Sequence, residues 1–151
     1  MTIWDLKIAG ADFYHIINWF FIYSFLGWAW ESAYVSVKQK RLVNRGFVTG
    51  PVCTIYGCGA VAVYLILKPI SGNLPFLFLG GVLVPTVLEY LTAVLMETIF
   101  HTSWWDYSDV PFNLGGYICL KFSLAWGVAV VAVMKGVQPA VAALVRAVPR
   151  T

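Results

Sequence analysis

Three glutamates, Glu31, Glu89 and Glu97, stand inside long apolar runs. A charged side chain costs about 2.5–3.5 kcal/mol at the centre of a membrane helix on insertion scales, so each of them needs a partner or a purpose. The purpose such carboxylates serve is a cation- or proton-sensitive polar site. The densest stretch is VLVPTVLEYLTAVLMETIFHTSWWDYS, residues 82–108, which places Glu89 and Glu97 in one helix and then opens into a loop rich in aromatic and polar groups. That loop, residues 101–116, carries Trp104, Trp105, Asp106, Tyr107 and Asn113. Tryptophan and tyrosine there suit the headgroup level of a bilayer, and the aspartates and asparagine add fixed polar groups. Two cations are available as partners: Lys121 for Glu97 and Arg45 for Glu31, with Asn44 beside it. Glu89 is left the least obviously paired.

Composition says what must hold these groups. Of 151 residues, 60% are hydrophobic, 17% aromatic and 11% charged, which is the balance of an all-α integral membrane protein. A net charge of +3, dispersed along the chain, excludes nucleic acid as a partner. Cys53, Cys58 and Cys119 lack metal-ligand spacing and read as packing residues, and no cofactor is implied. The first residues, MTIWDLKIAGAD, carry two aspartates and no basic n-region, so they do not read as a cleaved signal peptide.

Four transmembrane helices are expected, at about 13–37, 48–67, 74–100 and 117–134, in one polytopic domain. The first bears a polar seam of Ser24, Trp28 and Glu31. A loop at 38–50 with Lys38, Lys40, Arg41 and Arg45 leads to a second helix with a small-residue patch at Gly57, Gly59 and Ala60. The third holds Gly80, Gly81 and Pro85, which predict a kink ahead of Glu89. An amphipathic tail at 137–149, with Val141, Leu144, Val145 and Val148 flanked by Arg146 and Arg150, is expected to lie in the interface.

Four crossings put loops 38–50 and 101–116 on one side of the membrane. At 1.5 Å per residue Glu97 then lies about 5 Å from that side's helix end, Lys121 about 6 Å, Glu31 about 10 Å and Glu89 about 16 Å. Glu97 and Lys121 are level, which predicts an ion pair. Glu31 and Glu89, offset by 58 residues, each lead through a polar loop to a glycine-bearing helix, a pattern that would make a parallel two-helix repeat. The basic cluster at 38–45 favours a cytoplasmic loop 38–50 with both termini outside, in a multi-pass protein of the plasma membrane.

The runs FFIYSFLGWAWES, NRGFVTGPVCTIYGCGA, LEYLTAVLMETIFHTSWWDYS and FNLGGYICLKFSLAWG, spread over residues 20–139, resemble a bacterial membrane-protein family labelled putative ABC-transporter type IV, widespread in Firmicutes and relatives. The resemblance implies a membrane protein with a transporter label and no assigned substrate. Members often carry arginine where Tyr117 stands here, which removes a partner for the carboxylates. Many also continue into a further membrane helix beyond the tail. No GxxxxGK[ST] phosphate loop occurs in these residues, so ATP-driven transport would call on a separate ATPase subunit.

Three functions compete on this basis. A transporter-like or permease-like subunit would use Glu31, Glu89 and Glu97 as a carboxylate site in one leaflet, working as a homo-oligomer or with another membrane subunit. A membrane assembly or interaction factor would spend the same carboxylates on structural ion pairs. A lipid-headgroup-modifying enzyme would need Glu97 with Asp106, or His101 beside Asp106, for acid–base work at the interface, without any other catalytic constellation in support.

Overall fold

The structure is a computed structural model that describes residues 2–46 and 50–149; the start of the expected second span, 48–49, and Arg150 of the tail lie outside the described residues. The chain forms two compact units, Met1–Leu65 with Gln138–Thr151, and Ile66–Val137.

In the first unit a two-stranded hairpin, β1 (Lys7–Ile8) and β2 (Ala11–Asp12), turns through Ala9 and Gly10, both at positive φ as a tight two-residue hairpin loop requires. Helix α1 (Phe13–Gln39) starts where the Asp12 carboxylate accepts the His15 N–H at 2.9 Å, satisfying one of the donors that a helix start leaves open. It ends at Lys40, whose left-handed backbone returns its N–H to the Ser36 and Val37 carbonyls. Its buried residues are Trp19, Tyr23, Ser24 and Gly27, while Phe21, Phe25 and Trp30 are exposed. Helix α2 (Thr54–Leu67) packs on that face: Gly57 lies against Phe20 and Ser24, the Cys53 N–H donates to the Ser24 carbonyl at 3.0 Å, and Trp19 meets Tyr64 edge-on at 4.6 Å. Of the small-residue patch expected here, Gly57 makes the close approach and Gly59 faces open space.

The tail is helical, as expected. A helix runs from Leu120 to Ala147, so the tail continues it through a π-turn, Val133–Val137. Its last part, the helix Gln138–Ala147, packs on α1 with Gln138, Val141 and Val145 buried. Gln138 Oε1 accepts the Tyr23 hydroxyl at 2.7 Å. The apolar stripe of the tail thus has a protein partner in α1, and the Tyr23–Gln138 bond lies inside the packed face, where the Gln138 amide nitrogen makes no hydrogen bond.

In the second unit Asn73 caps α3 (Leu74–Phe100), accepting from the Phe76 N–H, and the helix runs unbroken through Pro85 to a left-handed His101. Leu77, Gly81 and Pro85 are buried, whereas Leu79, Leu83, Val87, Leu91, Leu95 and Ile99 are exposed. Helix α4 (Leu120–Ala132) lies against α3 and buries Ser123, Gly127 and Val130. A methyl group at Gly127 would fall 2.7 Å from both Phe78 and Val82, and one at Gly81 would fall 2.8 Å from Val130. Small residues meet in the interior and large apolar ones face out, the arrangement of helices solvated by lipid.

Two helices, Leu74–Phe100 and Leu120–Ala147, are long and apolar enough to cross a membrane. Their apolar windows are only 17% and 22% buried, so most of their apolar surface faces outward. Helix α1 has the length of a span, but its tyrosines and tryptophans lower its hydropathy, and α2 with its terminal turn, Thr54–Ile70, is shorter.

Candidate functional site

Helix α3 carries Glu89 one turn beyond Pro85, on the side that meets α4 and the loop. Glu89 Oε1 accepts the Tyr107 hydroxyl at 2.7 Å. The Trp126 side chain of α4 also approaches this carboxylate, yet Oε2 is buried and makes no hydrogen bond of good geometry. The Tyr107 ring is held in turn by stacking on Phe122, with centroids 4.9 Å apart and planes 16° apart. One turn before Glu89, the Thr86 hydroxyl donates to Ser123 Oγ at 2.8 Å. A polar strip therefore runs along the α3–α4 seam from Thr86 to Glu89, where the Tyr107 hydroxyl of the loop donates to the carboxylate.

The loop that supplies Tyr107 is knit by its own polar groups. The Trp105 indole donates to the Tyr117 carbonyl at 2.9 Å, and the Tyr107 N–H donates to the Gly116 carbonyl at 2.9 Å. The Asp106 carboxylate accepts from the Ser108 N–H at 2.9 Å and from the Ser108 hydroxyl, which holds it below the usual carboxylate range. Asn113 donates to the Val110 carbonyl at 2.8 Å and accepts from the Gly116 N–H at 3.1 Å. Gly116 sits at φ +75°, and a methyl group on it would fall 2.7 Å from Asp106 Oδ1, so only glycine closes this turn. A short hairpin, β3 (Asn113–Leu114) with β4 (Ile118–Cys119), then delivers the chain to α4. Trp104 is half exposed beside this network.

Glu97 is exposed near the end of α3, and its expected ion pair does not form. The Tyr117 hydroxyl donates to Glu97 instead, while Lys121 lies over the Phe122 ring at 5.7 Å. Tyr117 also packs edge-on against Tyr90 at 5.6 Å, which explains the geometry: an aromatic side chain anchored on α3 reaches Glu97, and Lys121 points elsewhere. The residue that seemed to remove a partner for the carboxylates is itself that partner. Asp106 is engaged by Ser108, so among the described residues it pairs with neither Glu97 nor His101.

Glu31, in the first unit, accepts the Tyr56 hydroxyl of α2. Residues 43–45 fold back onto α1, and among the described residues no salt bridge joins Arg45 to Glu31. Asn44 Oδ1 accepts the Trp28 indole at 2.7 Å, the Arg45 N–H donates to Ser32 Oγ at 3.1 Å, and the Val43 N–H donates to Ser36 Oγ at 2.9 Å. Arg45 thus contributes its backbone here, and its carbonyl accepts from the Cys53 thiol at 3.3 Å.

Two ring donors, Tyr56 and Tyr117, stand where charged partners were expected. A tyrosine just before or within the start of an apolar helix was the available signal, since a phenol in an apolar setting seeks an acceptor.

Among known families, the one described as putative ABC-transporter type IV matches residues 18–151, from α1 to the end of the chain. No curated protein and no solved structure matches the chain. The family match covers well over half of the sequence, and the chain belongs to that family.

Proposed function

We propose that this member of the putative ABC-transporter type IV family is a small permease-like transporter subunit whose functional group is the intramembrane carboxylate Glu89. One observation carries the reading: Oε1 of Glu89 is held by Tyr107, while Oε2 is buried and makes no hydrogen bond. A carboxylate placed in an apolar helix with one oxygen satisfied has an interaction left to make. Four crossings, with α1 and α2 joining the two apolar helices, fit the outward-facing aromatic and aliphatic residues of α1. The same reading gives a multi-pass plasma-membrane protein with loop 38–50 cytoplasmic, acting as a homo-oligomer or with another membrane subunit, and with a separate ATPase subunit if the transport is ATP-driven.

A second reading, a membrane assembly factor, is favoured by Glu31 and Glu97, whose carboxylates are taken up by tyrosine hydroxyls from neighbouring segments and so act as clasps. A thermal-shift screen of the detergent-purified protein against ions, small metabolites and lipids across pH separates the two. Stabilisation by a ligand or by pH that Glu89→Gln abolishes is the expected result. A flat response in both proteins would overturn the transport site in favour of the assembly reading.

A further inference from the structure

The last turns of α1 leave one face uncovered. Trp30, Tyr34 and Val37, spaced four and three apart, fall on one stripe of the helix and are 68%, 58% and 80% exposed. With Ala33 and Lys38 they line an open groove of about 460 Å³ that runs about 12 Å along the helix. The chain that follows does not close over it. The Lys40 and Arg41 N–H groups turn back onto the Ser36 and Val37 carbonyls, and residues 43–45 then return along Trp28, Ser32 and Ser36. Those three positions lie on the other side of α1 from the stripe.

The charges at the mouth of the groove decide what fills it. Lys38, Lys40, Arg41 and Arg45 are all exposed, and no acidic residue occurs between Glu31 and Glu89. Glu31 itself accepts the Tyr56 hydroxyl, and among the described residues none of the four cations makes a salt bridge. The helix-end carbonyls of Ser36 and Val37, which could have held them, are closed by backbone N–H groups. Arg41 Nε donates to Gln39 Oε1 at 3.0 Å, which steadies the guanidinium; its terminal nitrogens, the pair that matches a phosphate, make no hydrogen bond among the described residues. The groove of the second unit, lined by Leu74, Pro75, Phe78, Val128 and Val131, is placed differently, because Lys135, one turn past Val131, is taken by the Ser71 carbonyl.

We propose that the end of α1 is a binding site for an anionic phospholipid, with an acyl chain in the groove along Trp30, Tyr34 and Val37 and the phosphate on Lys38 and Arg41. An apolar track that ends in aromatic rings and then in unpaired cations has the order of such a lipid: chain, interface, charged headgroup. A zwitterionic lipid fits the groove equally well but gains less from the cations, since its own ammonium offsets its phosphate. The inference goes beyond the proposed function and takes from it only that α1 crosses the membrane with loop 38–50 at the cytoplasmic surface, where anionic lipids lie.

The test is quenching of tryptophan fluorescence in nanodiscs holding the full-length protein, with dibrominated phosphatidylglycerol or dibrominated phosphatidylcholine titrated into unlabelled phosphatidylcholine. The Trp30 signal is the difference between wild type and Trp30→Phe. Half of it should be quenched at a mole fraction of phosphatidylglycerol about tenfold or more below that of phosphatidylcholine. Lys38→Gln and Arg41→Gln should each weaken that preference roughly fivefold, the effect of one basic residue at an anionic surface. Lys38→Arg should retain it, and Arg146→Gln, which removes an exposed cation elsewhere, should leave it unchanged. Equal quenching of wild type by the two lipids would overturn the site. A preference that survives Lys38→Gln and Arg41→Gln would overturn the assigned cations, and one read undiminished from the remaining tryptophans of Trp30→Phe would overturn the groove. Reversal by inorganic phosphate, beyond the effect of chloride at equal ionic strength, would give the cations to a free anion and overturn the lipid. Quenching by neither lipid would overturn α1 as a crossing helix, whereas the thermal-shift response of Glu89→Gln decides the transport site independently.

Discussion

The Tyr107 hydroxyl and Glu89 Oε1 are 2.7 Å apart, so a loop residue closes over a carboxylate eighteen positions earlier in the chain. The order of the loop and the state of the carboxylate are thereby coupled: the phenol is oriented by stacking on Phe122, and its backbone is tied to Gly116.

Removing that hydroxyl isolates the coupling. Tyr107→Phe keeps the ring stack on Phe122 and should cost roughly 1.5–3 kcal/mol, the range for hydrogen bonds to charged groups. Glu89→Gln keeps an acceptor for the phenol and should cost less. The check is the melting midpoint of each variant in detergent, with hydrogen exchange of residues 101–116 to locate the loss; a Tyr107→Phe protein as stable as wild type, with an unchanged loop, would refute the coupling.

Helix-to-helix packing should hinge on two glycines. Gly127→Ala must push Phe78 and Val82 aside, and Gly57→Ala meets the Phe20 backbone, so each should lose about 1–3 kcal/mol through overpacking. Gly59→Ala meets nothing within 4 Å and should be neutral or slightly stabilising, as alanine favours helix. Thermal unfolding of the three variants ranks them directly.

Thr86 and Ser123 offer a measurement of the polar seam. A double-mutant cycle with Thr86→Val and Ser123→Ala should give a coupling of about 0.6 kcal/mol and no more than about 1.7, as for hydroxyl pairs between membrane helices. A coupling of zero would mean that the two hydroxyls do not meet in the bilayer.

Acid should loosen the aromatic loop before neutral pH affects it. Asp106 has its folded pKa lowered by the two hydrogen bonds from Ser108, so its contribution is fully present above the unfolded value of about 3.9 and is lost as pH falls through the lower folded value. Tryptophan fluorescence from Trp104 and Trp105 should therefore be flat from neutral pH down to about pH 5, then change in stronger acid. In Asp106→Asn that acid step should vanish. A step persisting unchanged in this variant would assign it to another carboxylate.

Much of the second unit could be read from residue order. Helix α3 matches the span expected at 74–100, because Asn73, Pro75 and His101 mark its ends and an all-round apolar run fills it. The offset of 58 between Glu31 and Glu89 was visible as well. The carboxylate partners were not legible. Charge complementarity pointed to Lys121 and Arg45, but in an apolar setting a phenol or indole brings its own hydrophobic body and leaves no second charge to bury, so rings took those places. The π-turn at Val133–Val137 was equally hidden, since the fourth helix was expected to end at about 134, inside it.

Lys40 and His101 end α1 and α3 at φ +53° and +51°, a backbone region where glycine is free and other residues give up roughly 1–2 kcal/mol. Neither is buried. The chain therefore holds an undrawn reserve of stability at two positions outside its packed faces, and Lys40→Gly with His101→Gly is a route to a sturdier protein for extraction and purification that leaves every carboxylate untouched.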